Sequence, residues 1–201
     1  MPSTLRSQGP PFIFVGEHRA LDFANTLITP VGVPQEFFPS WSEVVNWFAV
    51  TGLSQDPSLN LSISRGGEAL KSVLKLRETW QNLLARLITG GKVSDDFLQS
   101  LNHLLSEDTF SETIQREGSK GFHFVRSSTP LSGAKLALTI LARQIASFLV
   151  SANLEYLHRC ANTESCTLYF YDTTKNHRRQ WCSAASCGNR HKVAAFRERQ
   201  K

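Results

Sequence analysis

The chain has 201 residues, 41% hydrophobic and 10% aromatic, which suffices for one main core plus a small appendage. Charged residues make up 19%, too few for a disordered polyelectrolyte, and no apolar run approaches the ~20 residues of a membrane span. The net charge of +5 lies entirely in residues 160–201, which hold eight basic and three acidic residues; the first 159 carry fourteen of each.

Residues 1–10 read as a disordered leader without the apolar region of a secretory signal. Phe12–Val15 is a short apolar run suited to a buried strand, ending at Gly16. Residues 19–28 place Leu21, Ala24, Asn25 and Ile28 at helical spacing, with Pro30 as the stop. Residues 30–39 form a loop. Ser40-Trp41-Ser42-Glu43 has the pattern of a capping box and opens a helix closed by Gly52. After a polar loop at 53–63, residues 67–89 form a long amphipathic helix stopped by Gly90-Gly91. Ser94 is expected to cap a helix with Asp95 and Asp96 in its first turn. Residues 110–116 and 122–126 predict a hairpin, and 131–158 a helix delivering the chain directly to Cys160.

All four cysteines fall in the basic segment: Cys160, Cys166, Cys182 and Cys187, spaced C-x5-C-x15-C-x4-C. Two disulfides, free thiols or one structural Zn²⁺ compete for this pattern. Metal has the stronger physical case. About forty residues with few large apolar groups cannot fold unaided, and a structural zinc supplies on the order of 10–16 kcal/mol. Four thiolates complete a tetrahedron, so His177 and His191 are expected to be non-ligands and the zinc non-catalytic. Within the tail, Leu168–Tyr171 and Arg178–Trp181 read as hairpin arms around a turn at Asp172–His177. A helix follows over Asn189–Gln200, giving a treble-clef-like order. The fold expected is α+β: a mostly helical N-terminal domain (residues 11–158) with a small antiparallel sheet, then the finger (159–201).

Cys187-Gly188-Asn189-Arg190, preceded by Asp172, Arg178-Arg179 and Trp181-Cys182, resembles the CGNR zinc finger. The stretch Phe14 to Leu27, FVGEHRALDFANTL, resembles the start of the ABATE domain that accompanies this finger in bacterial proteins. The resemblance implies a stress-responsive, zinc-dependent transcription regulator, cytoplasmic, whose finger binds DNA. Gln180 departs from the family pattern, and the extra residue reverses the faces occupied by Arg178 and Arg179.

Arg178, Arg179, Asn189, Arg190, Lys192 and Arg197 are the candidate DNA-binding residues, as phosphate neutralisers or base-edge readers. The structural alternatives are that Asn189 caps the helix, Arg190 pairs with Asp172, and Trp181 and Phe196 fill the finger's core. Asp22, Asn25 and Thr26 are candidate ligand-binding residues for a small-molecule effector. Their structural alternative is ion pairing with Arg19 and buried hydrogen bonding. A homodimer through the neutral domain is the expected assembly for reading a two-fold site. No P-loop, G-x-G-x-x-G, H-E-x-x-H or G-x-S-x-G occurs, so no enzyme is expected. A zinc-stabilised protein-interaction or small-molecule-binding protein without DNA binding is the alternative.

Overall fold

The computed structural model describes residues 12–54, 66–107, 110–117, 121–128, 131 and 133–200. The leader and most of the 53–63 loop lie outside them. The organising element is α3 (Gly66–Ile88), longer than any other described helix. It buries Val73, Trp80, Leu83, Leu84 and Leu87 on one stripe. Gly90 ends it at φ +81°, and the Gly91 amide reaches back to the Arg86 carbonyl, so the double glycine closes α3 as its sequence predicts.

Helices α1 (Arg19–Ala24), α2 (Trp41–Thr51) and α5 (Gly133–Ser151) pack against α3, and α4 (Asp95–Ser106) packs on α5 and meets α3 where Phe97 stacks on Trp80. By length and composition α5 is apolar enough to cross a membrane, contrary to the reading from apolar runs alone. In this fold it is a core helix, burying Ala137, Leu141, Ile145 and Phe148. Aromatic rings fill the space between layers. Trp80 meets Phe148 edge-on at 6.0 Å, and Trp47 meets Phe38 likewise at 6.0 Å.

Three two-stranded antiparallel ribbons complete the described fold. β1 (Leu27–Ile28) pairs with β2 (Gln35–Glu36). β3 (Phe110–Glu117) pairs with β4 (Gly121–Ser128) from Phe110↔Ser128 to Glu117↔Gly121, the hairpin expected from its alternating pattern. β5 (Leu157–Arg159) pairs with β6 (Tyr169–Tyr171).

Several local expectations give way to tertiary contacts. Phe12–Val15 is not a strand; directly after it, Gly16 O accepts from the Tyr171 amide of β6 at 3.0 Å. The helix expected over 19–28 stops at Ala24, because Asn25 turns outward to the finger and Leu27–Ile28 pairs with β2. Ser40 sits at the N-cap of α2, but its hydroxyl bonds Ser42's hydroxyl at 2.7 Å and no capping box forms. Ser94 likewise caps α4 by backbone conformation without a side-chain bond. The helix predicted to reach Cys160 ends at Ser151; a single turn at Leu154–Tyr156 and β5 intervene. Beyond Cys160, Arg178–Trp181 forms no strand, and β5 takes the place of that arm beside β6.

Arg77 lies on the buried stripe of α3, where the periodic pattern alone would place an apolar residue. Its guanidinium clasps both oxygens of Glu36, at 2.7 and 2.5 Å, and donates to the Thr26 hydroxyl at 3.1 Å. The fork geometry ties the β1–β2 ribbon to α3. One turn further along α3, Gln81 donates to the carbonyls of Ala24 and Leu27 and satisfies the end of α1.

Candidate metal centre

The site starts from the β5–β6 ribbon, whose register pairs Leu157 with Tyr171 and Arg159 with Tyr169. Cys160 follows β5 directly, and its amide bonds to Leu168 O at 2.9 Å. Cys166 lies in the loop so closed. After β6, Asp172 folds the return segment. Its carboxylate accepts from the Thr174 amide (2.8 Å), the Thr174 hydroxyl (2.6 Å) and the Arg179 amide (2.7 Å). Burial pushes this carboxyl up, but those three donors outweigh it and hold it below the usual carboxylate range. Gln180 O then accepts from the Ala161 amide at 2.8 Å, bringing Cys182 beside Cys160. Cys187 comes from a π-helical turn, Ala184–Gly188, whose entry is capped by Ser183. The turn runs into α6 (Asn189–Glu198).

The four cysteines are free and buried, and their sulfurs all lie within 4.8 Å of one another. Cys166 Sγ is 3.7 Å from Cys182 Sγ, which is 3.6 Å from Cys187 Sγ. Disulfides are thereby set aside, since bonded sulfurs lie about 2.05 Å apart. A tetrahedral Zn²⁺ with Zn–S near 2.3 Å places its ligands about 3.8 Å apart, so the donor set fits one structural zinc. Thiol chemistry points the same way. The bond from Cys182 pulls the Cys166 thiol down to about 5 against the effect of burial. Donating that bond, with burial added, drives Cys182 upward, and burial raises Cys160. An anionic Cys166 sulfur thus opposes ionisation of Cys182 and Cys160, an opposition that a bound dication would reverse. Among the described residues no histidine joins the cluster: His177 stacks on Tyr156 at 3.6 Å, and His191 packs against Trp181 at 5.1 Å.

The finger is welded to the helical layer. Asn25 donates to Tyr169 O and accepts from Tyr169 N, both at 2.9 Å. The Thr29 amide bonds the Thr167 hydroxyl at 2.9 Å, and the Val31 amide bonds Glu164 O at 3.1 Å. Phe170 is fully enclosed, and the four cysteines are continuous with the main core. The appendage foreseen as separate shares that core, because its own apolar residues are too few to close one.

The block from Phe14 to Leu27 builds the seat for this contact. Gly16 has room for nothing larger, as a Cβ there would meet Leu21 Cβ at 2.7 Å and the Asp22 amide at 2.9 Å. Its amide donates to Asp22 Oδ1 at 2.9 Å. His18 caps α1 by accepting from the Ala20 amide. Burial, then Arg19, hold its imidazole below the ordinary range, matching a neutral acceptor.

The sequence-derived site residues divide accordingly. Asp22 is buried and pairs with Arg19 at 3.1 Å; burial raises its carboxyl despite Gly16 and Arg19. Thr26 donates to Phe23 O and accepts from Arg77. Asn25 is the clasp on Tyr169. The polar atoms of all three are engaged inside the fold. Arg179 turns inward: its side chain bonds the carbonyls of Trp181 and Cys182, pairs with Glu17 at 3.0 Å and lies 4.6 Å over the Phe170 ring. Arg178 beside it is exposed. Arg190 is exposed and donates to Ser165 at 3.3 Å; Asp172 is occupied elsewhere. Asn189, Lys192 and Arg197 are exposed on α6. Gly188, not Asn189, holds the N-cap position, since the π turn already continues in helical conformation. Trp181 is half-buried as expected of finger core, but Phe196 is 57% exposed and is not.

Sequence reasoning missed Glu17 and Arg77. An arginine inside an apolar helical stripe was the available signal for the second; Glu17 left none. Asp172-Thr173-Thr174 carried the signature of a side-chain-closed turn.

These features define a helical domain sharing its core with a four-cysteine finger. The model of the CGNR zinc finger family matches residues 156–200. That of the ABATE family, described as "Putative stress-induced transcription regulator", matches residues 17–152. The chain belongs to the ABATE family and carries a CGNR zinc finger at its C-terminal end. A search of the curated proteins finds no match.

Proposed function

We propose that the chain is a cytoplasmic transcription regulator that binds DNA through the zinc-held basic surface, with α6 as the contacting helix. The observation carrying this reading is that α6 buries none of its ten residues. His191 and half-buried Ala195 face the finger. At 100° per residue the outward side places Asn189, Val193 and Phe196 between two cationic rows, Arg190 with Arg197 and Lys192 with Arg199. Such a face suits a groove flanked by phosphates. Arg179 is withdrawn from this role by its inward contacts, leaving Arg178, Arg190, Lys192, Arg197 and Arg199. Five phosphate contacts correspond to a log–log salt slope of about −4.5, weak enough that a homodimer on a two-fold site supplies the rest. The reading gives the zinc no catalytic role, because four thiolates leave no open coordination position.

Electrophoretic shift of random genomic fragments across a salt series tests it. The native chain is expected to shift fragments at low salt, and Arg190→Ala/Lys192→Ala to flatten the slope by about two. No shift at low salt overturns the reading in favour of a protein-interaction module, for which the exposed Val193–Phe196 pair speaks. Partner binding by such a module would be insensitive to salt.

A further inference from the structure

A regulator needs an input, and the polar atoms of Asp22, Asn25 and Thr26 are already engaged within the fold. The molecule offers another place. An open groove of about 830 Å³ runs between the Phe14–Glu17 segment and the finger. Phe14, Trp181, Ala184 and Ala185 supply apolar surface, and Arg178 and Lys192 supply charge. The volume lies within the range of small-molecule sites, and the exposed lining surface is mostly apolar, with Thr173, Thr174, Gln180, Ser183 and His191 as polar groups able to orient a ligand.

Its walls are fixed in advance. Gly16 O holds the Tyr171 amide, and Glu17, at φ +62°, holds Arg179 at 3.0 Å. That ion pair neutralises the groove's one acidic lining residue. Arg178 and Lys192 carry no ion pair among the described residues. The groove is therefore apolar with a net positive rim, complementary to a flat apolar molecule bearing one anionic group.

We propose that this groove binds a small aromatic or otherwise apolar anion, and that such a ligand competes with DNA for Arg178 and Lys192. The second half rests on the DNA-binding reading; the first does not.

The probe is 1-anilinonaphthalene-8-sulfonate, compared with uncharged N-phenyl-1-naphthylamine, titrated by fluorescence into the zinc-loaded chain without DNA. The sulfonate is expected to bind more tightly than the uncharged probe. Arg178→Ala and Lys192→Ala are each expected to weaken the sulfonate roughly two- to fivefold and leave the uncharged probe unchanged. Ala185→Trp, which fills the groove from an exposed position, is expected to abolish binding of both. Lys75→Ala, in a separate groove between α3 and α4, is the control and changes neither. Zinc content and the melting temperature establish that each variant is folded. Sulfonate binding that survives Ala185→Trp overturns the site; equal affinity for both probes overturns its charge preference. In the mobility-shift assay saturating sulfonate is expected to release bound fragments. If the native chain shifts no DNA while Ala185→Trp still abolishes probe binding, the DNA reading fails and the groove stands. Retained DNA at saturating sulfonate overturns the competition alone.

Discussion

The helical layer and the finger reach order by different physics. Around α3, burial does the work: Trp80, Leu84, Phe148 and Trp47 are enclosed, and truncating a core aromatic of this kind costs about 3–5 kcal/mol. The finger encloses four sulfurs and only a few large side chains; Tyr169 reaches Gln81 O of α3 and Tyr171 meets Phe148 of α5, while Phe170, on the opposite face of β6, lies under Arg179. Its order comes from coordination, from the turn closed on Asp172, and from the clasp of Asn25 on Tyr169. The difference teaches that the finger cannot be an independent bead on a linker. It borrows a core from its neighbour and contributes β6 to that core.

Zinc removal is the largest perturbation expected. Structural zinc sites contribute on the order of 10–16 kcal/mol in small fingers, so chelation or Cys187→Ser should unfold residues 160–198. Because β6 belongs to the shared core, the helical layer should soften with it. Calorimetry is expected to show one transition lowered by at least about 10 °C. Two transitions, with the upper one unmoved, would break the comparison by showing that the helical layer stands alone. Metal analysis should give about one zinc per native chain.

Asn25→Ala sharpens the same point from the other side of the seam. It orphans both the amide and the carbonyl of Tyr169, each costing about 1–3 kcal/mol when buried. Urea denaturation is expected to show a loss of about 2–4 kcal/mol with zinc stoichiometry unchanged. A loss confined to zinc affinity, with global stability intact, would place the two regions in separate cooperative units.

The smallest effect concerns Asp172. Its native carboxyl titrates below the ordinary 3.8, so its contribution is complete above that value and is lost as pH falls through the lower native one. The stability gap between the native chain and Asp172→Asn should therefore be constant from about pH 7 to 5 and narrow below about pH 4. Comparing the two at each pH cancels the acid loss of zinc common to both. A gap independent of pH would remove Asp172 as the charged organiser of the turn.

The amphipathic spacing of α3, the Gly90-Gly91 stop, the alternating β3–β4 pattern and the four-cysteine spacing are all legible locally, because each rests on neighbours within a turn or a ladder. The cationic asymmetry of the tail is equally plain from residue counts. The failures share one cause. Leu168–Tyr171 is as good a partner for one β-prone arm as for another, and only the folded chain selects Leu157–Arg159. Phe196 has the type of a core residue, yet α6 has nothing to pack it against. Arg179 and Arg178 are indistinguishable in charge, and the position of Glu17 and Phe170 turns one inward and leaves the other outside.

By itself, then, the chain's sequence determined that four thiols with zinc spacing end a neutral, largely helical domain, since residue type and short-range periodicity suffice for that. Tertiary structure alone decided that finger and domain share one core, that Asn25 ties α1 to the finger and Arg77 ties the β1–β2 ribbon to α3, and that a groove opens beside Trp181. Those outcomes depend on residues as much as 162 positions apart meeting in space, a relation no local pattern encodes.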